Sequence, residues 1–149
     1  MKVKITFLIL FLATIISAQV EKTLVKSLPT VTSTSFSEEA LITLPGDAEV
    51  KEWDEEFIRI TTYISVSNMS ERIVDQLIMV GRYTLNSNIN DGTGVMHITM
   101  PKMANTITVK GVELSELLRF EISAPKGFPI IVKNAAQHES TVDAYKQAM

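Results

Sequence analysis

The chain of 149 residues contains no cysteine. That absence excludes disulfides, a thiolate nucleophile, iron–sulfur clusters and cysteine-ligated zinc. It also excludes an acylated cysteine anchor after a leader. Histidine is nearly absent as well, with two residues, His97 and His138. Transition-metal sites gather three or four ligands, so two histidines without cysteine make a poor metal site. Lys and Arg total 14 against 17 Asp and Glu. No basic patch marks the chain for nucleic acid or anionic lipid, which call for clustered cations. Glycine-rich phosphate cradles are missing; Gly92-Thr-Gly94 is an isolated fragment. There is no Gly-x-Ser-x-Gly elbow, and the histidines are too few to serve a serine nucleophile.

Long apolar runs are confined to the first residues. Lys2 and Lys4 precede an almost unbroken apolar stretch, Ile5 to Ile16, and Ser17-Ala18 offers small residues for cleavage. Roughly a dozen apolar residues fall short of the ~20 of a spanning helix. The pattern is that of a secretory signal peptide over residues 1–18, giving an exported chain that begins near Gln19. A signal anchor is the competing reading. No later stretch is long enough for a membrane helix. Loss of Lys2 and Lys4 shifts the net charge from −3 to −5. The remainder, roughly 130 residues, suits one self-supporting domain. A secreted domain free of disulfides leans towards a bacterial source.

What is present is alternation. Residues 19–35 read as a lead-in, with Val31 to Phe36 as a β-prone edge strand or linker. Leu41 to Leu44 stops at Pro45-Gly46, a turn pair. Glu49 to Trp53 follows. Phe57 to Val66 is the clearest strand, with Ile58, Ile60, Ile64 and Val66 on one face. Ile73, Val74, Leu77 and Ile78 recur at helical spacing. Ser70 at the N-cap and Gly81 at C′ predict one covering helix within 70–81. Further strands are expected at Arg82–Leu85, Val95–Met100, Thr106–Val109, Leu118–Ala124 and Phe128–Val132, with Asn86–Gly94 a polar loop. Roughly eight short strands with turn signals predict a mainly β, layered, antiparallel sandwich-like domain over 36–133. A short β-solenoid-like stack is the alternative. Residues 134–149 form a polar tail.

Three segments share one form: Ile42-Thr-Leu-Pro45, Ile98-Thr-Met-Pro101 and Ile122-Ser-Ala-Pro125. Proline cannot donate to a ladder, so each ends a strand. Their spacing is unequal, which argues against a fixed-period array.

Candidate chemistry is sparse. The acidic run Glu52, Asp54, Glu55 and Glu56 surrounds Trp53 and suggests glycan binding or paired-carboxylate hydrolysis. Its ordinary reading is a solvated turn. Asn86, Asn88, Asn90 and Asp91 before Gly92 suggest a calcium loop, though the EF-hand glycine and closing glutamate are misplaced or missing. His97 reads as a strand-face residue. Asn68-Met-Ser70 matches a glycosylation sequon. No catalytic, cofactor-binding or metal-ligating set is assigned.

Residues 36–132 resemble a bacterial family of secreted, β-rich, adhesin-like domains of unknown function. The resemblance rests on Ala40 to Gly46, on Val50 to Trp53 with Phe57 to Ile60, and on Phe120 to Gly127. The leader, the alternating strands and the lack of a catalytic set predict a non-catalytic binding or structural module of the cell envelope or secretome, with an envelope protein or a glycan as partner. The resemblance itself leaves the role open. It implies no catalytic residues and no cofactor. Longer members continue into stacked β-coils, whereas 17 residues follow Val132 in this sequence.

Overall fold

The computed structural model describes residues 18–31 and 37–135. Residues 1–17, which hold most of the expected leader, the Thr-rich residues 32–36 and the tail from 136, with His138, lie outside them. Among the described residues no helix is long and apolar enough to cross a membrane.

Ten strands form. They are β1 (Val20–Pro29), β2 (Glu39–Leu44), β3 (Asp47–Trp53), β4 (Phe57–Val66), β5 (Asn86–Asn90), β6 (Val95–Thr99), β7 (Thr108–Val109), β8 (Val112–Glu113), β9 (Glu116–Pro125) and β10 (Ile130–Asn134). One helix, α1 (Glu71–Met79), and a 3₁₀ turn (Pro101–Ala104) interrupt them. The first sheet has the order β1-β4-β9-β3 and the second β10-β2-β6-β5, with β7-β8 a separate hairpin. Apolar residues of both sheets share one core: Ile58, Ile60 and Ile64 from β4 and Phe120 and Ile122 from β9 meet Ile42 and Leu44 from β2 and Ile98 from β6. The layered, sandwich-like β architecture is therefore the observed one.

The pairing differs from a purely antiparallel reading. β10 with β2, β2 with β6, and β3 with β9 are parallel. The cause is the path of the chain. After β2 it turns at Pro45-Gly46 into the other sheet, and after β9 it turns back into the sheet of β2. A parallel pair cannot be closed by a tight hairpin and needs a crossover connection, which these excursions into the other sheet supply. Gly46 is required at this corner, because a Cβ there would sit 2.3 Å from the Leu118 carbonyl oxygen.

Three local expectations are corrected. The lead-in is an integral strand: all ten residues of β1 pair with β4, from Val20 opposite Val66 to Pro29 opposite Phe57. The polar segment after Leu85 is a strand, not a loop. β5 pairs with β6, and only Asp91 to Gly94 turn between them. Arg82–Leu85, expected as a strand, is the turn leading into β5. The helix matches its pattern. Val74 and Leu77 are buried, Ser70 stands at the N-cap, and Gly81 has φ +76°. The Ser70 side chain makes no capping bond.

Candidate functional site

The repeated Ile-Thr/Ser-apolar-Pro segments explain a large cleft. β2 and β6 lie side by side with Ile42 opposite Ile98 and Thr43 opposite Thr99. Both strands therefore end level, at Pro45 and Pro101, where proline stops the ladder. Beyond that point the sheet gives way to a cleft of about 880 Å³. The 3₁₀ turn that starts at Pro101 forms one wall with Met103 and Asn105. Ile107 and Leu114, joined by the Leu114 N–H to the Ile107 carbonyl at 2.8 Å, form another. The third copy of the segment stands apart, in the other sheet, where Pro125 ends β9.

Arg82 and Glu116 reach the cleft from below. Arg82 is 4% exposed, and its Nε donates to both Glu116 carboxylate oxygens at 3.1 and 3.2 Å. Its Nη2 donates to the same carboxylate. Nη1 donates to the Lys102 and Asn105 carbonyls at 3.3 and 3.1 Å. The Tyr83 hydroxyl donates to Glu116 at 2.7 Å. Burial, then the Glu116 carboxylate, push the Tyr83 phenol above its ordinary value. The cation fixes the 3₁₀ turn, and both charges use their bonding capacity on each other and on backbone. The wall they support is held rigid, and they are poorly placed for proton transfer.

Sequence reading missed this cluster, though it left one sign. Glu116 has the same parity as Leu118, Phe120, Ile122 and Ala124, the buried face of β9. A carboxylate in that register needs a buried partner.

The sites proposed from sequence are not brought together. Glu52, Asp54, Glu55 and Glu56 are all exposed around the β3–β4 turn. Asp54 pairs with Lys126 at 2.6 Å, and Glu52 accepts the Gly127 N–H at 3.3 Å. Trp53 is half-buried and donates its indole N–H to the Phe57 carbonyl at 2.9 Å. The Arg59 guanidinium lies 4.4 Å over its ring, so that face is already stacked. Exposed carboxylates around one turn fit the solvated-turn reading of this run. Asn86, Asn88 and Asn90 lie on β5, opposite Thr99, His97 and Val95. A straight strand cannot wrap an ion, and Asn90 Oδ1 instead accepts the Gly92 N–H at 3.0 Å. His97 is exposed on β6 between Leu41 and Asn88. No group of three potential metal ligands occurs among the described residues. Asn68 of the sequon is a latch: its Oδ1 accepts the Ser115 N–H at 2.9 Å and its Nδ2 donates to the Glu113 carbonyl at 2.6 Å.

No family model and no curated protein matches the chain. Among solved structures it is similar to a Clostridium sporogenes ATCC 15579 protein described as a putative cell adhesion protein, at 11% identity and a TM-score of 0.42. The similarity covers 75% of this chain and 45% of that one, so the chain spans less than half of that protein's length.

Proposed function

We propose that the chain is an exported, non-catalytic binding module of the bacterial envelope or secretome, and that it binds through the cleft beyond Pro45 and Pro101. The observation that carries this reading is the lining. The cleft has the volume of a ligand site, and its walls are mostly apolar, with Met100, Met103, Ile107 and Leu114. Methionines adapt to irregular partners. Of its charged residues, Arg82 and Glu116 are spent on holding the wall, and Glu113 stands at the exposed rim. Such a lining favours an apolar segment of an envelope protein over a glycan, which calls for aromatic planes and free polar groups. The leader pattern of residues 1–18 and the adhesin-like resemblance of 36–132 support the address.

Peptide-display selection on the purified chain should enrich segments with bulky apolar side chains. Met103 is only half-buried at the rim, so Met103→Lys should abolish their binding while leaving the melting midpoint in place. Peptides that bind this variant as well as the parent would sink the reading, as would hydrolysis of glycans or esters at enzyme-like rates. Chain recovered outside the cytoplasm should begin at Gln19; retention inside with Met1 intact counts against the address.

A further inference from the structure

At one end of the sandwich the core is left open. β1 of the first sheet and β5 of the second lie at the same end, where Lys26 and Asn86 to Asn88 line one polar cleft. The sheet orders then put β3 and β10 together at the opposite end. Each has one neighbour among the described residues, β9 for β3 and β2 for β10. Their inward residues are incompletely covered. Val50 is in register with Ile122, which is fully buried, yet Val50 is 45% exposed. Ile130 and Val132, beside buried Ala40 and Ile42, are only half-buried; on the outer face of the same strand Ile131, beside Leu41, is 50% exposed. Free edges with apolar residues invite strand pairing.

The charges on β3 specify the partner. Glu49 and Lys51 flank Val50 on the solvent face of the strand, and Lys51 lies 3.6 Å from Glu49 and 3.5 Å from Glu121. If β3 pairs antiparallel with a second β3 about Val50, each Glu49 stands opposite a Lys51. The two Val50 side chains then meet on the core face. Directly opposed unlike charges favour such a pair, and like charges oppose it. We propose that this end of the molecule is a self-complementary interface for a second copy of the chain, formed by β3 pairing with its own copy about Val50. The same two-fold axis brings β10 against its copy, covers Ile131, and joins each sheet to its counterpart. The pairing is isologous, so it closes on a dimer instead of propagating.

The test is a charge exchange on the full chain, read by sedimentation over a dilution series. The parent should be a concentration-dependent dimer. Lys51→Glu and Glu49→Lys each place like charges opposite one another and should each weaken dimerisation by about tenfold or more. An equimolar mixture of the two variants should restore it as a heterodimer, because unlike charges then face each other at every position. The double variant, Glu49→Lys with Lys51→Glu, should again self-associate. Thermal melts of each variant separate loss of pairing from loss of fold. A parent that stays monomeric at all concentrations overturns the proposal. So do single variants that dimerise like the parent, or folded single variants whose mixture stays monomeric.

Discussion

At the scale of single residues, stability concentrates where a polar group is buried in the core register. Glu116 holds Arg82 with both oxygens and receives Tyr83. Truncation of one partner leaves the other charge buried without compensation, which costs about 3–5 kcal/mol. Glu116→Ala should therefore lower stability by that amount in urea titration, far more than removal of the exposed Asp54–Lys126 pair. Tyr83 adds a pH dependence. Its folded form holds the phenolic proton above the ordinary range, so below about pH 10 both states keep it and nothing changes. As pH rises further the unfolded chain releases the proton first, and stability falls. Tyr83→Phe should flatten that alkaline decline in denaturant midpoints measured across pH. An unaltered slope in Tyr83→Phe would assign the decline to other groups. Lys110 is a third case. It turns the β7–β8 hairpin at φ 51° next to Gly111 at 81°. Asn tolerates this left-handed conformation better in a two-residue hairpin turn, so Lys110→Asn should raise stability by about 0.5–1 kcal/mol.

At the scale of elements, the join between β4 and α1 is held from the side. Asn68 bonds Ser115 and Glu113 across the β8–β9 connection, and the Ser67 N–H donates to the Ser115 carbonyl at 3.2 Å. Ser70 stands at the N-cap without using its hydroxyl. The two positions of the sequon should thus separate. Asn68→Ala should cost about 1–2 kcal/mol, whereas Ser70→Ala should cost well under the ~1 kcal/mol usual for a cap. Chemical denaturation of the pair checks both. The contrast shows what sequence made legible. Helical spacing placed α1 and its ends, and alternation placed the buried face of β4. The use of the Ser70 hydroxyl depends on geometry that spacing does not carry. β5 escaped because a polar edge strand, Asn-Ser-Asn-Ile-Asn, has too few buried positions to alternate visibly. β1 escaped because Lys22 and Lys26 occupy its inward register between Val20, Leu24 and Leu28. Lysines there can lay their stems on the core edge and carry the charge outward; Lys22 reaches Glu71 and Asp75 at 2.7 and 2.9 Å. Strand direction was beyond reach, since parallel and antiparallel strands alternate alike. The cleft was half legible: the proline-ended segments marked two strand ends, but only their parallel register sets those ends level.

At the scale of the whole molecule, β1 decides where the folded unit starts. A boundary at residue 36 would remove a ten-residue strand whose loss strips β4 of one neighbour along its full length. Leu28, 2% exposed, would leave a gap beside Ile58. The bond from the Thr30 hydroxyl to the Glu56 carbonyl at 2.8 Å would also go. β4 supplies Ile58, Ile60, Ile64 and Val66 to the centre of the core, so an uncovered β4 exposes the middle of the sandwich. Removing a Leu from a core costs about 2–5 kcal/mol alone, and domains hold only about 5–15 kcal/mol. A chain beginning at Ser37 should therefore lose its cooperative thermal transition or associate through the bare β4 edge, whereas a chain beginning at Gln19 should melt as one unit. Equal midpoints for the two forms would show that the sandwich is complete without β1. The expected inequality puts the start of the folded unit at β1, from Val20.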